Sequence, residues 1–264
     1  MYTFDYKRPA SVAQAQTAVQ GDARYLAGGQ SLIQAMKLRL SSSERLVDLG
    51  GLSELKGIRQ DGANLVVGAM ATHASVALSA LVQRLQPALA ELAGGIGDPM
   101  VRNQGTIGGS IANADPAACY PAAVLGLGAT VHTNQRTIAG DAFFTGLYET
   151  ALQPGELITA VSFPPVQRAA YVKYKQPASR FALIGVFVSQ SAGGVRVAVT
   201  GAQGSVFRAA DIEAALTRSF TPDAAKAVKV ATTDINSDMH GTAEYRAAMI
   251  SVMASRAVAA ALAR

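Results

Sequence analysis

Two glycine-rich turns, about 80 residues apart, constrain this chain more than any other feature. The first is Ala27-Gly28-Gly29-Gln30-Ser31-Leu32. The second is Thr106-Ile107-Gly108-Gly109-Ser110-Ile111-Ala112-Asn113-Ala114-Asp115-Pro116. Each follows or interrupts an apolar segment, and each is expected to expose a run of backbone N–H groups with little side-chain obstruction. Glycine lets the backbone adopt φ > 0 and approach a ligand closely. Consecutive N–H groups in such a turn form a concave anion site. Two of them suit an extended ligand with a diphosphate in its middle, such as a dinucleotide.

The flanking patterns place both turns. Ser11 to Val19 has helical spacing, with Ser11 as N-cap, and Ala23 to Leu26 reads as a strand running into the first turn. Gln30 to Leu40 reads as a helix with Leu32, Ile33, Met36 and Leu40 on one face. Strand, glycine turn and helix N-terminus make a recurrent phosphate-binding arrangement. Strands are expected at Arg45 to Leu49 and Asn64 to Gly68. Helices are expected at Thr72 to Leu78 and Ser79 to Ala93, just before the second turn. There Gly108-Gly109-Ser110 lies among small and polar residues where a core strand would want bulk. Asn113 and Asp115 supply amide and carboxylate groups suited to ribose or ribityl hydroxyls, although Asp-Pro also favours a simple Asx turn before a helix. A hairpin is expected across Asn134-Gln135, and a strand from Leu157 to Phe163 ends at Pro164-Pro165, the best domain boundary. Beyond it, strand patterns at Tyr171 to Tyr174, Leu183 to Ser189 and Val195 to Gly201 precede helices at about 209–217, 222–231 and 242–262. Strands followed by helices describe a small α+β unit.

Composition narrows the function. Half the residues are hydrophobic, enough for a sizeable core. The +5 charge is a mild excess with no basic run, so nucleic acid is a poor fit as a partner. Cys119 is the only cysteine, which excludes an internal disulfide, a cysteine-ligated iron–sulfur cluster or a cysteine-based zinc site on this chain. Met1 to Pro9 has no apolar signal region and no stretch is suited to span a membrane, so a cytoplasmic location is expected. No G-x-G-x-x-G follows a strand, and there is no P-loop or G-x-S-x-G elbow. His73, His132 and His240 lack metal-ligand spacing and read as surface or capping histidines. No catalytic acid, base or nucleophile and no metal site is evident. Cofactor-binding features without catalytic groups suit a redox cofactor that carries the chemistry itself.

Three segments in this order, YLAGGQSL at 25–32, DPMVRNQGTIGGSIANADPAA at 98–118 and YKQPASR at 174–180, resemble the FAD-binding subunits of the molybdenum hydroxylases. This is the xanthine dehydrogenase family, and the nearest form is the medium subunit of the carbon monoxide dehydrogenase type. The resemblance covers essentially the whole chain. It implies an α+β protein: a two-lobed FAD-binding domain of the vanillyl-alcohol oxidase or p-cresol methylhydroxylase (PCMH) type over 1–165, with lobes of about 1–55 and 56–165, then a C-terminal domain over 166–264 with an antiparallel sheet packed on helices. It also implies that Tyr25, Leu26, Ala27, Gly28, Gly29, Gln30, Ser31 and Leu32, with Thr106, Ile107, Gly108, Gly109 and Ser110, contact the FAD diphosphate region. By the same resemblance Ile158 and Lys175 lie near the flavin and Ile96 near the flavin or adenine, Lys175 being the candidate for stabilising a reduced, anionic flavin. One departure matters: where the family commonly has an Asp after the second turn, this chain has Cys119. Either Asp115 takes over that contact or the cofactor is held with one good hydrogen bond fewer, worth roughly 0.5–1.5 kcal/mol.

The function implied is that of an electron-transfer oxidoreductase subunit. A large partner chain would carry the molybdenum–pterin (molybdopterin) centre and a small one two [2Fe–2S] clusters, in a heterotrimer or a dimer of heterotrimers. Electrons would reach FAD here and leave to NAD, a quinone or oxygen. The alternative is a stand-alone flavin- or nucleotide-binding module without a redox partner. A self-sufficient oxidase is weaker, because the region beyond Pro165 is small and poor in acid–base groups. Substrate and acceptor are not legible.

Overall fold

The computed structural model describes residues 1–264. Its first lobe contains strand β1 (Asp5–Lys7), helix α1 (Val12–Ala18), strand β2 (Ala23–Leu26), helix α2 (Leu32–Lys37) and strand β3 (Arg45–Asp48). The three strands form a parallel sheet in the order β1-β3-β2. Parallel strands need crossover connections, and the two helices supply them. Ser11 caps α1 by accepting from the Gln14 N–H at 3.2 Å. The predicted helix over 30–40 is shorter at both ends. It stops at Lys37, Arg39 turns the chain at φ 60°, and Leu40 is left exposed instead of joining the apolar face.

The second lobe runs through β4 (Ile58–Asp61), β5 (Asn64–Gly68), α3 (His73–Leu78), α4 (Ala80–Leu85), α5 (Pro87–Gly94), α6 (Pro99–Gln104), α7 (Ile107–Asn113), α8 (Tyr120–Gly126), β6 (Thr130–Thr133), β7 (Thr137–Ala139), β8 (Phe144–Gly146), β9 (Glu149–Thr150) and β10 (Ile158–Phe163). Its sheet is antiparallel with order β4-β5-β10-β6-β7, and β8 and β9 form a separate hairpin. The single helix expected over 79–93 is two helices broken at Gln86. Pro87 has no N–H to continue the ladder and disfavours helical geometry at the residue before it. Buried Gln86 then donates to the Pro164 carbonyl at 2.6 Å, tying the break to the end of the lobe.

The third unit contains β11 (Arg168–Lys175), β12 (Ala182–Ser191), β13 (Gly194–Thr200), β14 (Phe207–Arg208), α9 (Ala210–Arg218), α10 (Pro222–Lys226) and α11 (Ala243–Leu262). The sheet is antiparallel in sequence order, β11-β12-β13-β14. The helix expected over 222–231 ends at Lys226, and beyond it the Val228 carbonyl accepts from Ser251 of α11 at 2.6 Å. Helices cover one face of the sheet: Ile184, Val186, Val188, Val197 and Val199 share a core with Ile212, Leu216, Ile250, Met253 and Val258. The opposite face joins the second lobe. Phe187 and Ala198 belong to the same core as Tyr120 and Val124 of α8. Alternate residues of one strand serve two cores, so β12 is apolar along nearly its whole length. The architecture is α+β, and the second lobe shares its largest core with the C-terminal sheet.

The Phe187 ring packs against Gly126 of α8 and stacks on Tyr171 at 6.1 Å between centroids. It is fully buried. Phe187→Ala is expected to cost about 3–5 kcal/mol of stability, read as a lowered midpoint in denaturant unfolding.

Candidate cofactor-binding cleft

The two glycine turns meet. A methyl group on Gly28 would come within 2.7 Å of the Gln104 carbonyl carbon and 2.8 Å of the Gly105 Cα. One on Gly108 would come within 2.6 Å of Ala69 Cβ. Glycine is needed at these two positions because backbone packs on backbone. The joined turns form the floor of a cleft of about 480 Å³ walled by both lobes and by the β11–β12 segment of the third unit.

The two turns use their N–H groups differently. None of the backbone N–H groups of Gly28, Gly29, Gln30, Ser31 and Leu32 donates to a protein acceptor. This run lies in the cleft wall and leads into the N-terminus of α2. The second turn was expected to offer the same and does not. Its glycines open helix α7, whose N-cap Thr106 accepts from Gly109 N–H through its side chain at 3.1 Å and from Ser110 N–H through its carbonyl at 3.0 Å. The Ile107 and Gly108 N–H groups go to the carbonyls of Ala71 and Ala69, at 3.1 and 2.8 Å. The cleft therefore presents one open run of donors, on the first lobe, against a closed surface on the second.

The walls carry polar groups of fixed state. Glu156 has a fully buried side chain, held by two hydrogen bonds from Arg136 at 2.9 and 3.0 Å and by one from Thr133 at 2.7 Å. The Arg136 hydrogen bond leads the causes that lower its pKa to about 2, so it is a carboxylate already neutralised. Tyr25 donates to the Gly155 carbonyl at 3.0 Å, and burial raises its pKa to about 12. His73 departs from the surface or capping role expected of it. It is 5% exposed, lines the cleft, lies 5.3 Å from the Tyr120 ring, and its Nδ1 has no partner. The N-terminus of α3 docks on the second turn, where the His73 N–H donates to the Gly105 carbonyl at 2.9 Å. Burial, then the Arg102 charge, lowers its pKa to about 4 and keeps it neutral. His132 instead bonds Ser162 at 2.7 Å, and His240 is exposed.

The far wall comes from the loop after α7 and from the third unit. Asp115, Ala118 and Cys119 face Lys173, Arg180 and Phe181 there. Lys173 Nζ donates to Cys119 Sγ at 3.3 Å and to the Arg180 carbonyl at 3.0 Å, and Arg180 reaches the Gly97 carbonyl at 3.3 Å. Asp115 Oδ1 accepts from the Ala117 N–H at 2.8 Å.

The sequence of residues 2–166 matches the pattern of the FAD-binding domain in molybdopterin dehydrogenase. The chain belongs to that family. It is 40% identical to the carbon monoxide dehydrogenase medium chain of Afipia carboxidovorans over 99% of this chain and 98% of that one. It is 34% identical to the nicotine 6-hydroxylase medium subunit of Paenarthrobacter nicotinovorans, covering 98% and 97%. Its fold superposes on a chain of reconstituted CO dehydrogenase from Oligotropha carboxidovorans with TM-score 0.91 and 35% identity, covering 100% and 99%. This chain is thus an FAD-binding medium subunit of the molybdenum hydroxylase family and an oxidoreductase component. No helix is long and apolar enough to cross a membrane.

Most positions expected to contact the cofactor line this cleft: Tyr25, Ala27, Gly28, Gly29, Gln30, Ser31 and Leu32 on the first lobe, Ile96, Thr106, Gly108, Gly109, Ser110, Asn113, Asp115 and Ile158 on the second. Leu26 and Ile107 lie outside the lining, Ile107 as a fully buried core residue. Lys175 is exposed and outside it, whereas Lys173 lies in the wall. Arg24, Lys173 and Phe181 are cleft residues that the sequence reading did not name; His73 it read as surface or capping, and Arg180 entered only as the last residue of the YKQPASR segment. The alternation of β11, with Tyr171, Lys173 and Lys175 on one face, was the available signal for Lys173.

Because the folded pKa of His73 is depressed, its contribution to stability is fully present above its ordinary pKa of 6.5 and is lost as pH falls toward about 4. Melting temperature measured across that window is expected to fall less steeply in His73→Gln than in the parent.

Proposed function

We propose that this chain seats FAD across the cleft, with the diphosphate on the open N–H run of residues 28–32, and relays electrons between a redox partner and a terminal acceptor. The observation that carries the reading is that unpartnered run, facing a cleft large enough to be shared by three units of the fold. Five consecutive amide donors without protein acceptors suit a doubly charged diphosphate. FAD, when bound, supplies the electron-carrying chemistry.

The chain's own residues bind, orient and set charge. The first turn holds the diphosphate, and the closed second turn forms the surface against which it lies. Asp115 and Asn113 accept and donate to cofactor hydroxyls. Cys119 stands where the family commonly has an Asp, and with Lys173 directed at its sulfur the wall is cationic there. Lys173, rather than Lys175, is then the residue whose charge favours electron-rich forms of the cofactor. Arg136 neutralises Glu156, so no free carboxylate opposes the phosphates on that wall.

A single cysteine leaves no place for iron–sulfur clusters on this chain. In this reading a small [2Fe–2S] chain delivers electrons, a large molybdenum chain oxidises the substrate, and NAD, a quinone or oxygen accepts at the other side. The division into an FAD-binding unit over 1–165 and a C-terminal unit over 166–264 belongs to the same proposal.

Acid release and chromatography of the purified protein are expected to yield FAD at about one per chain. A colourless protein that also fails to take up added FAD overturns the reading. Gly28→Ala is expected to weaken FAD binding at least about tenfold, since the turns cannot close around the added methyl. Lys173→Ala is expected to lower the flavin potential, and Lys175→Ala to leave it in place, both read by spectroelectrochemical titration.

A further inference from the structure

The loop that brings Asp115 and Cys119 to the cleft is held from outside its own lobe. The Pro116 carbonyl accepts from the Gly201 N–H at 2.7 Å, and the Ala117 carbonyl accepts from the Ala182 N–H at 3.3 Å. Ala182 opens β12 and Gly201 follows the end of β13, so both donors sit at one end of the C-terminal sheet. The carbonyls at that end are taken in turn by one side chain. Arg246 of α11 donates through Nη1 to the Leu183 carbonyl at 3.0 Å and to the Gly201 carbonyl at 2.8 Å. Its Nη2 donates to both carboxylate oxygens of Asp238 at 2.7 Å, and its Nε reaches the Gly241 carbonyl at 3.4 Å.

This arginine is out of pattern. It is 3% exposed, on a helix whose buried face is otherwise small or apolar apart from Ser251. A buried guanidinium carries a large desolvation cost, and an apolar residue of similar volume would serve packing as well or better. What an apolar residue lacks is a planar fork of donors that holds two carbonyls at a set separation. Here the two carbonyls belong to the strand ends whose N–H groups grip residues 116–117. Asp238 holds the fork from the other side, and its own side chain is 47% exposed.

We infer that Arg246 is a positioning residue for the cofactor cleft. By clamping Leu183 and Gly201 it sets the strand ends that hold Pro116 and Ala117, and through them the place of Asp115 and Cys119 in the cleft wall. The effect on cofactor binding rests on the FAD reading. The effect on the loop does not, and it can be measured without any cofactor.

Cys119 is the only cysteine in the chain and is 5% exposed, so thiol alkylation of the whole protein reports this loop alone. The variants are Arg246→Met, which keeps length and removes the fork, Arg246→Lys, and Asp238→Asn. The control is Leu216→Ala, which opens the C-terminal core without touching the loop. In cofactor-free protein, Arg246→Met is expected to raise the Cys119 alkylation rate about tenfold, the equivalent of one lost buried hydrogen bond. FAD affinity, read by flavin fluorescence, is expected to fall by a similar factor, and the visible circular dichroism of bound flavin to change. Arg246→Lys should recover part of each effect. Leu216→Ala should lower the melting temperature and leave alkylation and affinity as in the parent. If Arg246→Met does not fold, Asp238→Asn carries the same test with a smaller expected change. Variants that fold, alkylate at the parental rate and bind FAD with parental affinity overturn the inference. So does a control that alters both readouts as much as the arginine variants do. A parent protein that binds no FAD overturns the FAD reading, and the alkylation rates still decide the role of Arg246 in holding the loop.

Discussion

The backbone of Gly28 lies directly against the carbonyl of Gln104 and the Cα of Gly105, and that approach makes the floor of the cleft. It joins two lobes whose sheets are separate, one parallel and one antiparallel, alongside a small core in which Ala15, Val47 and Leu49 meet Met70 and Leu157. A side chain at position 28 would hold the lobes apart and open the floor. Near the contact, each lobe satisfies its own backbone differently. The second lobe caps its donors with Thr106, Ala69 and Ala71, and the first leaves a consecutive run without protein partners. Residues 28–32 are half-buried or exposed, so water satisfies these N–H groups until a ligand takes its place. An anionic ligand is the partner that would complete them.

Helix α8 connects this floor to the rest of the molecule. Its N-terminal end follows Cys119 in the cleft wall. Its C-terminal carbonyls, Leu125 and Gly126, accept from Arg196 at 2.7 Å and Ser189 at 2.6 Å on the C-terminal sheet. These are groups that a helix end leaves without intrahelical partners. Arg196 also pairs with Asp141 of the second lobe. The C-terminal unit thus contributes more than a covering layer. It closes one end of α8, shares the core around Phe187, and supplies Lys173, Arg180 and Phe181 to the cleft. The chain end is tied in as well, with Arg264 donating to the Ala169 carbonyl at 3.0 Å and pairing with Glu91 of α5.

Much of this was legible because period and punctuation are local signals. The β10 strand, the three C-terminal strands and the long final helix follow from alternation or helical spacing, and Thr72 and Ser79 cap the helices they precede. The glycine turns were visible as motifs, yet their functional asymmetry was not. Whether an N–H is free depends on which carbonyl folds against it, and Ala69 and Ala71 lie far from Gly108 in sequence. The same holds for His73: a lone histidine after a capping threonine reads as surface until α3 docks on Gly105. Exposed Leu40 shows the opposite failure, where a helical pattern continues past the turn at Arg39. Arg246 sat unremarked in an alanine-rich helix because the two carbonyls it clamps, Leu183 and Gly201, are distant in sequence. The family membership needed no geometry, since three ordered motifs carried it.

In the proposed reading, residues 28–32 hold the cofactor's diphosphate through open backbone donors while the second turn is already closed. Amide hydrogen exchange, compared with and without saturating FAD, separates the two turns. Amides of 28–32 are expected to exchange freely in the cofactor-free protein and to become protected on binding, while those of 107–110 are protected in both states. Protection that arises at 107–110 on binding, with 28–32 unchanged, would contradict it.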